Sequence, residues 1–338
     1  MRCYRLYGPL PVESRPLRLE TAVDPSPGVG EIAIRLTAAS VGLTDVAVVE
    51  GALPVSRFPV VPGGAAAGVV EAVGLGAERY PPGARVAFSR WRASCDECAA
   101  CRDGLEHLCR KRREHGRDRD GAFAEIAAVP ETAAVEIPAS VPDAVAAALA
   151  GDALLGFRAV LRPEARNAAR IGLLGYGDSG HVAHLLARSR GAEVSVYTRS
   201  EPHRLVALTL GAAWAGTLED SPEDAEPLDA ILSFGFAGRV VPAALRRLRP
   251  GGGLIFAASL VPDPLPAIDF ERHLSGERTI SGVSSAPLRD LEALLACAAR
   301  EGIAPATEVY EFEGLPEALD AVKGSRTRGA AVLSAPRR

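Results

Sequence analysis

The sequence predicts an α/β protein with two domains, one rich in β-strands and one built on a doubly wound parallel sheet. Up to about residue 90, short β-branched runs such as EIAIRLTAAS and AGVVEAVG are separated by glycine and proline, which predicts a small β-barrel-like domain. From about residue 143, helical and strand patterns alternate, which is typical of parallel βαβ units. A chain of 338 residues is long enough for both cores.

The elements of the second region follow in order. The segment DAVAAALAGDALLGFRAVL has the period of a helix, and the strand ARIGLLG, the helix HVAHLLARSRG and the strand AEVSVY then form one βαβ unit. The strands LDAILSFG and GGLIFAAS, with the helix VPAALRRLRPGG between them, continue the alternation. The helix RDLEALLACAAREG and a strand in GAAVLSAP form the tail. The charged run RKRREHGRDRD at 110–120 predicts a solvated loop.

Composition narrows the classes of function. The formal net charge of -4 at pH 7 gives no support for a polyanionic partner such as nucleic acid. The N-terminal segment has no uninterrupted apolar run, and no segment approaches the roughly eighteen apolar residues that a membrane span needs. We therefore expect a cytoplasmic protein that acts on a small molecule, without a membrane or nucleic-acid partner.

A Gly-rich turn of the form G-x-G-x-x-G lies directly between the strand IGLLG and the helix that follows it. Its glycines are Gly175, Gly177 and Gly180, and Asp178 and Ser179 complete the turn. Glycine at these positions allows a tight turn and a close approach of the backbone to a pyrophosphate, which binds at the positive end of the helix. Because the strand, the helix and a second strand are all present, the motif predicts a dinucleotide site.

The end of the second strand bears on which dinucleotide binds. An NAD site usually has Asp or Glu there to accept hydrogen bonds from the ribose 2′-hydroxyl. This chain instead has Thr198, Arg199 and Ser200, with Arg204 following. A cation and hydroxyl donors suit a 2′-phosphate, so the sequence favours NADPH. The alternative is NADH, with Arg199 facing solvent.

Four of the six cysteines fall in one short window with the spacing C-x2-C-x2-C-x7-C. They are Cys95, Cys98, Cys101 and Cys109. Four thiolates from one loop suit a closed tetrahedral zinc site, which has no vacant coordination position and therefore braces the loop. The pattern predicts one structural Zn²⁺ per chain.

Taken together, the β-rich first domain, the four-cysteine lobe and the Gly-rich βαβ unit resemble the zinc-containing alcohol dehydrogenases of the medium-chain dehydrogenase/reductase superfamily. The resemblance covers essentially the whole chain. It implies a GroES-like β-barrel catalytic domain at 1–150 and 287–338, with the zinc lobe at 91–115, and a Rossmann domain at 151–286. It also implies a homodimer or homotetramer.

The resemblance fails at the catalytic zinc. The family holds this metal with a Cys in G-V-C-x-T-D, a His and neighbouring Glu in P-G-H-E-x-x-G, and a Cys in L-L-C-A-G-x-T. This chain keeps the frames SVGLTDVAVVEG, VPGGAAAG and ALAGDALLGFRAV. The aligned positions hold Gly42, Gly64, Ala65 and Gly151. None of these residues has a side-chain donor atom, so the resemblance predicts an enzyme without catalytic Zn²⁺.

The loss of these ligands has chemical consequences. Zinc in the family polarises a carbonyl, a contribution of several kcal/mol, so simple alcohol oxidation is expected to be slow. We also expect the smaller residues to leave space for a bulkier substrate. The resemblance places Thr44 at the hydroxyl of the family's proton relay, with local backbone bonding as its alternative role. Asp45 is expected to be a structural hydrogen-bond acceptor. Asp152 is a candidate general acid, a clamp for a cationic substrate, or a surface residue.

Three functions follow from these observations. The first is an NADPH-dependent reductase of an activated C=C bond or of a C=N bond in an iminium, with Thr44, Asp152 or water as the proton donor. The second is a non-redox protein, a cyclase, lyase or metabolite-binding protein, in which the dinucleotide is structural or absent. The third is a zinc alcohol dehydrogenase with ligands rebuilt from Asp45 and Asp152, a poor zinc set.

Overall fold

The computed structural model describes residues 1–222, 225–235, 238–259 and 264–335 of the chain. Two units are distinguished: Met1–Asp152 together with Ala286–Arg338, and Ala153–Ser285. The predicted last strand ends at residue 336 and the predicted first domain at residue 338, and residues 336–338 lie outside the described residues.

The strands of the described chain are β1 (Arg2–Leu6), β2 (Leu17–Thr21), β3 (Glu31–Val41), β4 (Ala66–Val73), β5 (Arg85–Phe88), β6 (Trp91–Ala93), β7 (Arg113–Glu114), β8 (Ile126–Pro130), β9 (Ala134–Glu136), β10 (Arg170–Leu174), β11 (Glu193–Tyr197), β12 (Trp214–Gly216), β13 (Leu228–Ser233), β14 (Leu248–Ala257), β15 (Thr279–Val283), β16 (Thr307–Tyr310) and β17 (Ala330–Ser334). The helices are α1 (Leu43–Val49), α2 (Ala99–Arg102), α3 (Asp143–Ala150), α4 (Ala153–Val160), α5 (Asp178–Ser189), α6 (Glu201–Thr209), α7 (Val241–Arg246), α8 (Phe270–His273), α9 (Leu288–Glu301) and α10 (Leu315–Lys323).

The first unit is organised around β3, which pairs antiparallel with β4, β8 and β17. The main sheet runs in the order β16-β17-β3-β4-β5-β9, and β8 adds to β3. Its core contains the fully buried side chains of Ile32, Ile34, Phe88 and Phe123. Because α1 begins directly after β3, the sheet fixes the position of the segment that carries Thr44 and Asp45.

The second unit contains a parallel sheet with strand order β12-β11-β10-β13-β14-β15. The chain starts in the middle at β10, moves outward to β12, and then returns to β13 on the other side. This is the strand order 3-2-1-4-5-6 of a Rossmann sheet, in which ligands bind outside the carboxyl ends of the strands. The predicted doubly wound architecture is confirmed.

The structure corrects three local predictions. The segment DAVAAALAGDALLGFRAVL forms two helices, α3 and α4, because the backbone leaves the helical conformation at Gly151 (φ -81°, ψ -144°). The helix within VPAALRRLRPGG is shorter than predicted, since α7 ends at Arg246 and β14 begins at Leu248.

The charged run at 110–120 is only partly solvated. Its residues Arg113 and Glu114 form β7, which pairs with β6, and His115 is fully buried beside the ring of Phe88. The Glu114 carboxylate is neutralised by Arg112 and Arg117, which is why so polar a strand can pack inward.

In the part of the chain that the structure describes, no helix has both the length and the apolar character required to cross a bilayer.

Candidate functional site

The three glycines at the predicted metal positions border one group of polar side chains in the first unit. Gly42 precedes α1, Gly64 precedes β4, and Gly151 follows α3. A Cβ atom built on Gly42 would meet the Asp152 carboxyl, with its Cγ at 2.9 Å, and one built on Gly64 would meet the Arg90 guanidinium, with its Nη2 at 2.5 Å. We name Ser40, Thr44, Asp45, Arg90 and Asp152 the polar cluster.

Asp45 connects two of these glycine positions. Its Oδ2 accepts the backbone N–H of Gly42 at 3.0 Å, and its Oδ1 accepts that of Gly64 at 3.2 Å. The carboxyl is therefore a structural acceptor that ties the start of α1 to the segment before β4. Burial raises the pKa of Asp45, and the nearby Arg90 opposes this increase.

Arg90 follows β5 and reaches into the polar cluster. Its Nη2 donates to Asp45 Oδ1 at 2.5 Å, and its Nη1 lies 3.5 Å from the carbonyl of His115. The Arg90 side chain is 21% exposed and that of Asp45 is 5% exposed. Burial opposes the charge on Arg90, but the carboxylates of Asp45, Asp152 and Glu114 outweigh it and raise the pKa of the guanidinium.

Asp152 is half-buried and contacts the start of α1. Its Oδ1 accepts the Thr44 hydroxyl at 2.6 Å, and its Oδ2 accepts the Thr44 backbone N–H at 3.1 Å. The Thr44 side chain is 5% exposed. The two candidate catalytic residues are therefore in direct contact, through a hydroxyl–carboxylate pair that could pass a proton.

The expected empty space is not found at these glycines. The third position, Gly151, is closed by Ser40, whose Cβ lies 2.8 Å from a Cβ built on the glycine. Ala65 is itself buried, and its carbonyl accepts the backbone N–H of Ser40 at 3.0 Å. Side chains from other segments fill the volume directly beside Gly42, Gly64 and Gly151. Space for a bulkier substrate beside the nicotinamide stays a prediction.

The four predicted zinc ligands of the cysteine lobe do come together. Their sulfur atoms all lie within 4.8 Å of one another, with Cys98–Cys101 and Cys95–Cys109 separations of 3.5 Å. Tetrahedral zinc thiolates have an edge of about 3.8 Å at a Zn–S distance of about 2.3 Å. The backbone N–H groups of Glu97 and Cys98 lower the pKa of Cys95 to about 6, which favours the thiolate that a metal needs. These residues fit a closed zinc site.

The Gly-rich turn of the second unit has the geometry of a dinucleotide site. Gly175 has φ +90°, a conformation that glycine adopts without strain. Gly177 precedes α5, and a Cβ built on it would meet nothing within 4 Å, so the backbone is open to a ligand. A Cβ on Gly180 would lie 2.5 Å from the Gly175 carbonyl oxygen, so the third glycine allows the close strand–helix packing. Asp178 is half-buried in the first turn of α5 and Ser179 is 8% exposed.

The residues after β11 form the beginning of α6. The Thr198 hydroxyl accepts the backbone N–H of Ser200 at 3.2 Å, and Ser200 precedes the helix. Arg199 is exposed, and Arg204 is half-buried on the first turns of α6. Within the described residues no ion pair engages either arginine.

His181 and His184, on the helix that follows the Gly-rich turn, are packed in the interior. Tyr176 stacks on His181 with ring centroids 5.7 Å apart, and its hydroxyl lies 2.5 Å from His184 Nδ1. Burial lowers the pKa of each histidine to about 4, so both are neutral near pH 7.

A family model described as the alcohol dehydrogenase GroES-like domain matches residues 28–139. The chain is 36% identical over 338 residues to the probable alcohol dehydrogenase AdhA of Mycobacterium tuberculosis (strain CDC 1551 / Oshkosh), covering 98% of this chain and 97% of the relative. The chain belongs to the zinc-containing alcohol dehydrogenase family of the medium-chain dehydrogenase/reductase superfamily. It is therefore an oxidoreductase.

Two further similarities agree with this membership. The NADP-dependent alcohol dehydrogenase C 1 of Mycolicibacterium smegmatis (strain ATCC 700084 / mc(2)155) is 28% identical over 327 residues, which cover 93% of each chain. A solved structure of a thermostable alcohol dehydrogenase from Pyrobaculum aerophilum has a TM-score of 0.87 at 25% identity, covering 99% of each chain. The GroES-like and Rossmann architecture predicted for this alcohol dehydrogenase family member is confirmed.

The polar cluster does not fit the catalytic metal of the alcohol dehydrogenase family. Glycine and alanine offer no side-chain ligand, and Arg90 brings a positive charge to Gly64. Asp45 and Asp152, the donors considered for a rebuilt site, are engaged by Arg90 and by Thr44. Among the described residues, the four cysteines are the one group of three or more His, Cys, Asp or Glu side chains that could hold an ion.

Sequence reasoning missed Arg90 and Ser40 in this alcohol dehydrogenase relative. Both lie in or directly after apolar strands, Ser40 in β3 and Arg90 two residues after β5. A cation directly after a buried strand is the one signal in the sequence that could have drawn attention to Arg90.

Proposed function

We propose that this protein is a reductase that works without a catalytic zinc ion and transfers hydride from NADPH to a small molecule with an activated C=C or C=N bond. The observation that carries the proposal is the polar cluster: Arg90, Asp152 and Ser40 occupy the Cβ positions of Gly64, Gly42 and Gly151. A site closed in this way is suited to hydrogen bonding rather than to metal coordination.

The chemistry fits such a site. Without a Lewis acid, the alkoxide of a simple alcohol loses a stabilisation of several kcal/mol. A conjugated C=C bond instead delivers its charge to a distant oxygen that hydrogen-bond donors can stabilise, and an iminium already carries positive charge. Activated acceptors are therefore the substrates that need the metal least.

The proton follows from the pair of Thr44 and Asp152. The Thr44 hydroxyl can give its proton to the substrate while it takes a proton that the Asp152 carboxylate has picked up from water, because only 2.6 Å separates the two oxygens. The relay ends with Asp152 as a carboxylate that water can reprotonate. The backbone bond from Thr44 N to Asp152 Oδ2 keeps this pair in place.

The second unit supports the choice of cofactor. The Gly-rich turn is open at Gly177, and the end of β11 has Arg199 in place of an acidic residue. The name of one relative, the NADP-dependent alcohol dehydrogenase C 1, agrees with a 2′-phosphate partner. We propose that Gly175, Gly177, Ser179 and Gly180 hold the pyrophosphate. Thr198, Arg199, Ser200 and Arg204 would face the 2′-phosphate, with NADH as the alternative. When bound, the reduced nicotinamide supplies the hydride.

The remaining proposals concern the structural metal, the domain bounds and the oligomeric state. The four cysteines would hold one structural Zn²⁺ per chain. Residues 1–150 and 287–338 would form the catalytic domain and 151–286 the dinucleotide domain. The family resemblance favours a homodimer or homotetramer.

Two measurements on the purified protein test the proposal together. Metal analysis is expected to give one zinc per chain. NADPH oxidation, followed by loss of its absorbance, is expected with 2-cyclohexen-1-one or with an N-alkyl dihydroisoquinolinium ion, and NADP⁺ reduction with primary alcohols is expected to be slower by orders of magnitude. Two zinc ions per chain together with rapid alcohol oxidation would instead establish a zinc alcohol dehydrogenase.

The second candidate function is a non-redox one, a cyclase, lyase or metabolite-binding protein in which the dinucleotide is structural or absent. Fluorescence titration with NADPH separates the two functions, because an enzyme that uses NADPH as a co-substrate must bind it reversibly and oxidise it.

A further inference from the structure

Arg90 places a permanent positive charge beside Gly64, the position that aligns with the metal-binding histidine of the alcohol dehydrogenase family. The Nη2 and Nε atoms lie 2.5 Å and 2.8 Å from a Cβ built on Gly64. A guanidinium remains charged at any pH at which a protein stays folded. The polar cluster therefore retains a cation next to the predicted metal position, carried by a side chain.

The Arg90 guanidinium also has N–H groups that no atom of the described residues accepts. Arginine has five N–H groups. One bonds Asp45 Oδ1, and a second lies near the His115 carbonyl at the long distance of 3.5 Å. No acceptor within the described chain takes the other three. Because the Arg90 side chain is 21% exposed, these N–H groups can be reached by solvent and are available to an oxygen on a ligand.

Asp45 holds this cation in a fixed orientation. Its carboxylate accepts backbone N–H groups from Gly42 and Gly64 as well as the Arg90 guanidinium. The cation is thus anchored to the backbone of two glycines. Donors that are fixed before the reaction stabilise developing charge better than mobile ones, because no reorganisation is needed.

We propose that Arg90 binds the oxygen of an α,β-unsaturated carbonyl substrate and stabilises the negative charge that develops there. The inference rests on the proposed function and narrows it from activated C=C or C=N bonds to conjugated carbonyls. The hydride bonds to the β-carbon, the C=C electron pair shifts, and the carbonyl becomes an enolate whose oxygen faces Arg90. A proton added to the α-carbon then restores the carbonyl, leaving a saturated product and oxidised nicotinamide.

An iminium acceptor has no such use for Arg90. Its nitrogen is positive before hydride transfer and neutral afterwards, so a neighbouring cation repels the substrate and gains nothing in the transition state. Removing the guanidinium is therefore expected to slow the reduction of a conjugated carbonyl but not that of an iminium.

The first experiment compares two variants with a matched control. Arg90→Met leaves Asp45 buried without its partner, so the double variant Arg90→Met with Asp45→Asn is made as well. Arg85→Met is the control, because Arg85 also pairs with an aspartate, Asp143, at 2.5 Å in the same unit and is 32% exposed. Melting temperature and the Kd for NADPH are measured for each protein.

We expect kcat with 2-cyclohexen-1-one to fall about 10²-fold or more in both Arg90 variants, the usual effect of losing an oxyanion donor. Turnover of the dihydroisoquinolinium ion should rise or stay within about threefold. Added methylguanidinium should restore part of the enone activity, and Arg85→Met should leave the ratio of the two substrates unchanged.

A binding measurement gives a readout that needs no turnover. 4-Nitrophenolate resembles an enolate and absorbs differently when bound. We expect its Kd to rise at least about tenfold when Arg90 becomes Met, and to stay unchanged in Arg85→Met.

The outcomes separate this inference from the proposed function. Equal losses with enone and iminium substrates, together with unchanged 4-nitrophenolate binding, would show that Arg90 is only structural and overturn the inference. Iminium turnover in the wild type without enone turnover would also overturn it, while the proposed function stands. A wild type that reduces neither class removes both.

Discussion

The Thr44 hydroxyl donates a hydrogen bond to Asp152 Oδ1 over 2.6 Å, joining two residues that are 108 positions apart in the chain. If this pair relays the proton, Thr44→Val should lower kcat about 10²-fold with little change in NADPH binding. Thr44→Ser keeps the hydroxyl and should retain most of the activity. Equal activity of the valine and serine variants in steady-state kinetics would contradict the relay.

Asp152→Asn tests the other member of the pair. The amide can still accept a hydrogen bond from Thr44, but it cannot pass on a proton. We expect kcat to fall about tenfold or more while the Kd for NADPH stays unchanged. A kcat equal to that of the wild type would show that Asp152 has only a positioning role.

Gly64→His should not restore a catalytic zinc. The new side chain must displace the Arg90 guanidinium and break its pair with Asp45, which costs about 3 kcal/mol for a buried pair. Gly42 and Gly151 still offer no ligand. Metal analysis should therefore remain at one zinc per chain while the melting temperature falls. Adding Arg90→Ser together with Asp45→Asn, which removes both partners of the pair, should recover part of the stability. A second bound zinc in either protein would contradict this account.

Arg199→Asp should reverse the preference for the cofactor. A charge-assisted bond to a phosphate contributes about 1.5–3 kcal/mol, so the Kd for NADPH should rise at least about tenfold. NADH lacks the 2′-phosphate and serves as the control in the same variant, where its Kd should stay equal or decrease. An unchanged ratio of the two Kd values would place the 2′-phosphate elsewhere.

The buried histidines of the second unit predict an acid-sensitive fold. Their pKa values are about 4 in the folded chain because burial disfavours the charged ring, compared with about 6.5 when unfolded. The unfolded chain therefore binds more protons between pH 6.5 and 4. The free energy of unfolding is highest above pH 6.5 and falls by about 1.4 kcal/mol per pH unit for each histidine as the pH drops through this window.

His181→Phe checks this pH dependence, because phenylalanine can still stack on Tyr176 but does not titrate. Melting temperatures measured from pH 7.5 to 4.5 should show a smaller decrease in the variant. A slope equal to that of the wild type would mean that other groups control acid unfolding.

Several features could be predicted from the sequence because they depend on neighbours in the chain. The Gly-rich turn lies within one strand–turn–helix unit, where the spacing of glycines sets the backbone conformation directly. The four cysteines fall within one loop, so the spacing between them already limits their separation. The absence of donors at Gly42, Gly64 and Gly151 is likewise a property of single positions.

The polar cluster could not be predicted from the sequence, because its residues come together only in the tertiary structure. The pair of Arg90 and Asp45 spans 45 positions, and no periodic pattern connects β5 to the start of α1. The sequence showed which metal ligands are lacking, and from small residues alone we predicted empty space. Directly at these glycines the volume is filled, because a protein interior seldom leaves such volumes empty and side chains from distant segments can reach them. The sequence by itself thus determined the fold class, the spacing of the Gly-rich turn and of the four cysteines, and the presence of glycine at positions 42, 64 and 151. Only the packing of remote segments decided that a cation, a carboxylate and a hydroxyl close the positions where those ligands would be.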